Sequence, residues 1–405
     1  MTTTLQIPTS SSPSRSRSSS PLPSPTSIVP LDSQVGGHPG VLTTEDGSLL
    51  IKPALPAEVA FYQTVLSDAA FEPLRPYVPH FMGTLRLEGQ LDEAQSALGA
   101  VAVTQASAEA VKDDERDEYL PTSAVSVLEN LAHHFHKPNI MDIKLGKVLY
   151  DADASEEKRA RMIKTALATT SHETGIRLTG FQVYDIARGV AINTPKSYGK
   201  SIKASELPEG VARFFRCSPR SQPPSPSPSH TSAITSEDQD KSHTNAGAAD
   251  EPTPADPEES VRGTGLPPDV LLPLLESLRE DVADVRGALA QVDVRMVGAS
   301  LLVVYEADWA RCREGLRYYL EGGDEQEDEE DDSDEDEDED EEEDGRPKKP
   351  CPYVVKLIDF AHTRIVPGQG PDEGVLAGMD TVLRLLDGRI QEVKALLDAA
   401  APTNA

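Results

Sequence analysis

Two short stretches carry the residue types from which phosphate chemistry is built. In one, Asp142 and Lys144 stand two residues apart within the strand-like run 140–150. Alternate side chains of an extended strand share a face, so this carboxylate and this amine would meet the same reactant. In the other, Asp359 closes an apolar run that begins at Tyr353, and Phe360, Ala361 and His362 follow it. A carboxylate at the end of a short strand is a hard oxygen ligand of the kind Mg²⁺ prefers, and Mg²⁺ bridges phosphate oxygens when a phosphoryl group moves. An isolated Asp-x-Lys triplet is also what a surface ion pair looks like, and such a pair is worth about 0–1 kcal/mol. What separates the two readings is whether other elements bring the two stretches and further cations together.

Periodicity predicts those elements. A Glu45-Asp46-Gly47 turn signal opens an apolar strand over 47–53, and Pro56 starts a helix over 57–66. Residues 123–128 are partly β-branched and read as a buried strand. Residues 156–170 have helical propensity, and Lys158, Arg161 and Lys164 recur there every third residue, near one face. An amphipathic helix is expected over 266–289 and a closing helix over 374–397. The apolar runs 299–305 and 353–360 read as adjacent central strands. Lys196 falls in a segment, 194–200, that reads as a loop. His133, His134 and His136 have no carboxylate or Cys at ligand spacing and read as ordinary helix-end residues.

Other tracts are too polar to supply a core. Residues 1–33 are Ser-, Pro- and Thr-rich, residues 217–265 similar, and residues 89–118 are rich in Ala, Gln and charge. All read as disordered tail or insertion. Nineteen of the 21 residues of 324–344 are Asp or Glu, and adjacent like charges oppose ordering. Without those nineteen, the net charge of −31 falls to −12. The acidic average argues against a nucleic-acid partner, but it does not describe the local sign of any site. Three widely spaced cysteines, Cys217, Cys312 and Cys351, match neither a disulfide framework nor a zinc pattern and point to a reducing compartment. The start of the chain lacks a signal-peptide core, and no apolar run approaches the roughly 18 residues of a membrane span. The expectation is a soluble intracellular protein.

Pro138, Asp142, Lys144 and Gly146 match the Pro-x-x-x-Asp-x-Lys-x-Gly signature, and by it the chain resembles the inositol polyphosphate kinase family. Further matches come in the family's order. Gly298 to Glu306 resembles its Ser-Ser-Leu-Leu strand, although Ala299 stands where the family has its first Ser and only Ser300 remains. Ile358 to His362 is similar to the metal-binding segment, and Asp372-Glu373-Gly374 with Gly378-Met379 to the closing segment. The resemblance covers about residues 36–215 and 266–398. It implies an α+β, two-lobed kinase-like fold, with an N-lobe over 34–131 and a C-lobe over 132–398.

It also implies roles. Lys52 would grip ATP phosphates and Glu58 would hold Lys52 by an ion pair. Glu129 and Leu131 would bind adenine through backbone groups at a hinge. Asp142 would orient the inositol hydroxyl and accept its proton, Lys144 would neutralise the moving phosphoryl group, and Asp359 would hold Mg²⁺. Lys158, Arg161, Lys164, Lys196 and His362 would contact the phosphorylated inositol. The short segment between Asp151 and Gly180 fits the multikinase branch, which acts on inositol trisphosphate and tetrakisphosphate. The hexakisphosphate kinase branch is the runner-up. A different class of function is a nuclear scaffold in which residues 324–344 recruit basic proteins and Ser333 is an acidophilic-kinase site. Nucleus and cytoplasm are the expected locations.

Overall fold

The computed structural model describes residues 27–31, 41–86, 101–102, 124–218, 265–321 and 350–400. Most of the acidic run's neighbours and all of 324–344, most of the 89–118 insertion and nearly all of 217–265 lie outside them; Cys217 and Ser218, read as the start of that insertion, instead pair with Leu266, and Ser218 is buried. Ser27–Pro30, within the stretch read as tail, forms strand β1, because Ile28 buries against Ile51 and Val125.

The first sheet is antiparallel and holds β1, β2 (Leu42–Thr44), β3 (Leu49–Pro53), β4 (Phe81–Arg86), β5 (Val101–Ala102) and β6 (Ala124–Glu129). Its order is β4-β6-β3-β2-β1-β5. The Asp46 carboxylate accepts the Ser48 N–H at 3.1 Å, and Gly47 takes φ 75°, so the chain reverses into β3 where the sequence signals it. Helix α1 (Pro56–Ser67) follows, with Pro in its first turn. Its buried residues are Glu58, Phe61, Tyr62 and Val65. That is the i, i+3, i+4, i+7 stripe of an inward helix face, with a carboxylate occupying its first position. A 3-10 helix, Ala69–Tyr77, links α1 to β4.

The second sheet, β12-β11-β7-β8-β9, is also antiparallel. It comprises β7 (Pro138–Leu145), β8 (Ile176–Asp185), β9 (Val190–Thr194), β11 (Ser300–Glu306) and β12 (Tyr353–Ile358). Strands β10 (Val294–Met296) and β13 (Thr363–Ile365) form a separate pair. The runs read as adjacent central strands do pair, Ser300 facing Ile358. Only β11 is central, however; β12 lies at the sheet's edge. Its apolar run misled because Tyr353, Val355 and Leu357 are buried on one face while Val354 packs, half-buried, on the other, so apolar residues fall on both faces of an edge strand.

Register divides this sheet into a core face and a chemical face. Met141, Ile143, Leu301, Val303, Val355 and Leu357 are buried on one side. There α6 (Pro268–Leu289) and α8 (Glu373–Ala400) cover them, through Leu278, Val382 and Leu386 among others. Asp142 faces Leu302, and Leu302 faces Lys356; Lys144 faces Ser300, and Ser300 faces Ile358. These residues therefore occupy the other side. The remaining helices are α2 (Glu156–Ala168), α3 (Ser171–Thr174), α4 (Lys196–Ser201), α5 (Leu207–Phe214) and α7 (Trp309–Leu320). The segment read as a loop around Lys196 is thus the start of α4. His133 and His134 lie in a turn between β6 and β7 rather than at a helix end.

Candidate active site

Strand β7 places Asp142 and Lys144 on the chemical face. Asp142 is 2% exposed, and its Oδ1 has no hydrogen-bond partner among the described residues. Burial is the main force raising its pKa from 3.8 to about 6, with the Asp359 charge adding to the rise; the Ser300 hydroxyl and the Lys144 and Lys196 amines offset part of it. Lys144 is pushed the opposite way, down from the ordinary lysine value, by burial and then by the Arg177 charge. Its Nζ donates to the Gly298 carbonyl at 3.3 Å. A buried acid held near neutrality beside a cation that is short of counter-charge suits a site that takes up an anion and moves a proton.

The first sheet and α1 contribute Lys52 and Glu58. The Lys52 amine lies 2.7 Å from Glu58 Oε1 and 3.5 Å from Asp359 Oδ1. Because Glu58 is 1% exposed, its carboxylate needs partners; besides Lys52 it accepts the Phe360 N–H at 3.2 Å. One glutamate therefore fixes both Lys52 and the backbone beside Asp359. Phe360 seals this junction, stacking on Phe61 at 4.4 Å and meeting Tyr62 edge-on at 5.4 Å. Asp359 itself has φ 65°, the positive-φ residue other than glycine among those described. Holding a non-glycine residue there costs of order 1–3 kcal/mol, which the Glu58 bond and the Phe360 packing sustain.

Ligand capacity follows from these groups. Mg²⁺ takes one or two protein carboxylates and completes its shell with water and phosphate oxygens. Asp359, about a third exposed, and the unpartnered Oδ1 of Asp142 fit that pattern as hard oxygen donors. At the end of β6, the Glu129 N–H donates to the His80 carbonyl and is thereby taken up within the sheet. The Glu129 side chain accepts the His80 N–H at 2.9 Å, and Asn130 ties the same turn to Gly47 at 2.7 Å. Leu131 is buried directly after them.

The expected substrate cations do not all converge. Lys196 lies beside Asp142, over Gly180, whose φ of 150° and missing side chain leave room for it. His362 Nδ1 lies 3.1 Å from Asp151 Oδ2, and Lys158 Nζ lies 3.6 Å from the same oxygen. Arg161 and Lys164 are exposed further along α2, and among the described residues neither bonds to Asp142 or Asp359. Arg177 is a cation that the sequence did not single out. It pairs with Lys144 across β7 and β8 and lowers the lysine's pKa. One Arg in an alternating strand has no signature, and only the register reveals its neighbour.

The family model for inositol polyphosphate kinase matches residues 125–230 and 270–387, more than half of the chain. The inositol polyphosphate multikinase of Saccharomyces cerevisiae is 28% identical over 393 residues, covering 87% of this chain and 96% of that protein. Inositol hexakisphosphate kinase 1 of Rattus norvegicus is 24% identical over 268 residues, covering 64% of this chain and 50% of that protein. A crystal structure of the inositol phosphate multikinase Ipk2 from S. cerevisiae, in complex with ADP and Mn²⁺, superposes with a TM-score of 0.49 at 24% identity, covering 85% of this chain and all of that one. With its signature residues gathered on one face of the second sheet and the family model matched on both sides of residues 231–269, the chain belongs to the inositol polyphosphate kinase family.

Proposed function

We propose that the chain is an ATP-dependent inositol polyphosphate multikinase, transferring the γ-phosphoryl group to hydroxyls of inositol trisphosphate and tetrakisphosphate. The observation that carries this reading is the junction of Lys52, Glu58 and Asp359 beside Asp142 and Lys144. Lys52, held by Glu58, binds nucleotide phosphates. Glu129 and Leu131 receive the adenine. Asp142 orients the attacking hydroxyl; the oxygen forms its bond to the γ-phosphorus, the bond to ADP breaks, and the hydroxyl proton passes to the carboxylate. An acid poised near pH 6 is a better proton acceptor than an ordinary aspartate. Lys144 and Arg177 meet the charge of the moving phosphoryl group. Mg²⁺, held by Asp359 with Asp142 near it, would neutralise phosphate charge.

The fuller match to the yeast multikinase, in both identity and span, supports this branch over the hexakisphosphate kinases. Purified protein with MgATP should convert trisphosphate and tetrakisphosphate, and Asp142→Ala or Asp359→Ala should abolish product while leaving the circular dichroism spectrum unchanged. Absence of product from every inositol phosphate would overturn the proposal, and conversion of hexakisphosphate alone would move the chain to the other branch. The proposal extends to location and partners: nucleus and cytoplasm, with basic nuclear proteins bound by residues 324–344. A tagged chain excluded from nuclei would refute that part.

A further inference from the structure

Asp151 lies just after the signature strand, in the turn that leads into α2. The turn is tied on the helix side at several points: Ala154 N–H to the Asp151 carbonyl, Lys158 N–H to the Ser155 hydroxyl, and Arg159 to the Ala152 carbonyl at 3.1 Å. The Arg159 guanidinium also lies over the Tyr150 ring, 5.4 Å from its centroid. The Asp151 carboxylate therefore has little freedom, and its side chain is only 13% exposed.

One oxygen of this carboxylate faces two nitrogen groups from separate elements, His362 Nδ1 at 3.1 Å and Lys158 Nζ at 3.6 Å. Both partners are far more open than the acid, 53% for His362 and 44% for Lys158. The arrangement is an inner anion that fixes the inner ends of two groups whose outer sides face solvent. Behind His362, its carbonyl accepts the Val297 N–H, next to the Gly298 carbonyl that receives Lys144. The contact thus joins the Asp359 segment, the Lys144 environment and the first turn of α2.

We propose that Asp151 is a positioning residue of the acceptor site, a single carboxylate that aims Lys158 and His362 at a phosphate group of the inositol; this rests on the kinase function proposed above. A fixed negative charge beside a polyanion opposes its binding unless cations more than cancel it. Here two cationic groups share one acid, so the cluster keeps a positive balance when His362 is protonated. The Nδ1–H of His362 is held by Asp151, which leaves Nε2 to face the ligand.

The test uses the full chain with Asp151→Ala and Asp151→Asn. Initial rates with inositol trisphosphate should show KM for the inositol phosphate raised about tenfold in Asp151→Ala and about threefold in Asp151→Asn, whose amide oxygen still accepts from Nδ1. Turnover at saturation and KM for ATP should stay within about twofold of wild type. In ligand-free, ¹⁵N-histidine-labelled protein, the ring signals of His362, identified by their loss in His362→Gln, should show the Nδ1–H form in wild type and lose it in Asp151→Ala. An unchanged KM for the inositol phosphate in both variants, or an equal rise in KM for ATP, overturns the proposal. If the wild type phosphorylates no inositol phosphate, the kinase reading has failed, and the ring spectra alone decide the clasp: a His362 signal insensitive to Asp151→Ala overturns it.

Discussion

At the scale of single residues, Asp142 shows a conflict between stability and chemistry. Its native pKa of about 6 lies above the ordinary 3.8 because burial disfavours the charge. The native state therefore holds more protons than the unfolded chain between those values, and stability falls as pH rises through that window. Above it, the ionised acid costs about 3 kcal/mol at 1.36 kcal/mol per pKa unit. Asp142→Asn keeps the shape and removes the charge. In metal-free buffer it is expected to stabilise the protein by about 1–3 kcal/mol at pH 7.5 and not at all near pH 4, while abolishing turnover. Denaturant melts at the two pH values check this, and an equal effect at both would show that the charge is not the cause. This residue was legible in the sequence because a signature surrounds it. Arg177 and Asp151 were not, since each is marked only by what the fold places against it: Lys144 across a strand register, and Lys158 with His362 across a turn.

Elements turn these residues into a site, and helix α1 does so through one stripe. Glu58 takes the first position of its buried face, where Phe61, Tyr62 and Val65 complete the pattern. The helix was legible from Pro56 and this periodicity; that the carboxylate would bind the Phe360 N–H was not, because 302 residues separate them. Glu58→Gln removes the charge that holds Lys52 and leaves Asp359 as the carboxylate that pairs with it. It is expected to cost about 2–3 kcal/mol in denaturant stability, the range for charge-assisted bonds, and to raise KM for ATP more than KM for the inositol phosphate. An unchanged KM for ATP would refute the link. Close backbone approach governs α8 in the same way. A Cβ on Gly378 would lie 2.4 Å from the Gly175 carbonyl oxygen, and the Gly146 N–H donates to that same carbonyl. Gly378→Ala is thus expected to cost about 1–3 kcal/mol in a thermal or denaturant melt and to lower activity, since the displaced backbone supports the end of β7. The 3-10 helix Ala69–Tyr77, with Pro73 and Pro76 inside it, and the hairpin of β8 and β9 escaped sequence reading. The first has no helical or alternating pattern, and in the second a register shift opposite Asp142 and Ile143 interrupts the alternation of β8.

For the whole molecule, the sheet direction decides how the acidic run bears on the site. The described chain leaves α7 and resumes at Pro350, which packs against Gly315 of that helix. From there β12 runs from Tyr353 to Ile358 before Asp359 is reached. At about 3.3 Å per residue, the point where the chain resumes is roughly 20 Å or more from Asp359, beyond two Debye lengths at physiological ionic strength. The described residue at which the chain resumes is therefore beyond contact with Asp359, and the charge of the run acts on the site as a screened field. Nineteen of the 31 excess negative charges belong to 324–344, and in dilute salt, where the Debye length is about 30 Å at 0.01 M, they repel an incoming inositol phosphate. Deleting 324–344 is therefore expected to leave turnover at saturating substrate unchanged under all conditions. It should raise kcat/KM for the inositol phosphate severalfold at about 0.01 M salt and by less than about twofold at 0.15 M. Rates for both proteins across a salt series measure this. A deletion that lowered saturated turnover would place the acidic run in the catalytic machinery. A gain that persisted undiminished at high salt would require a contact rather than a field.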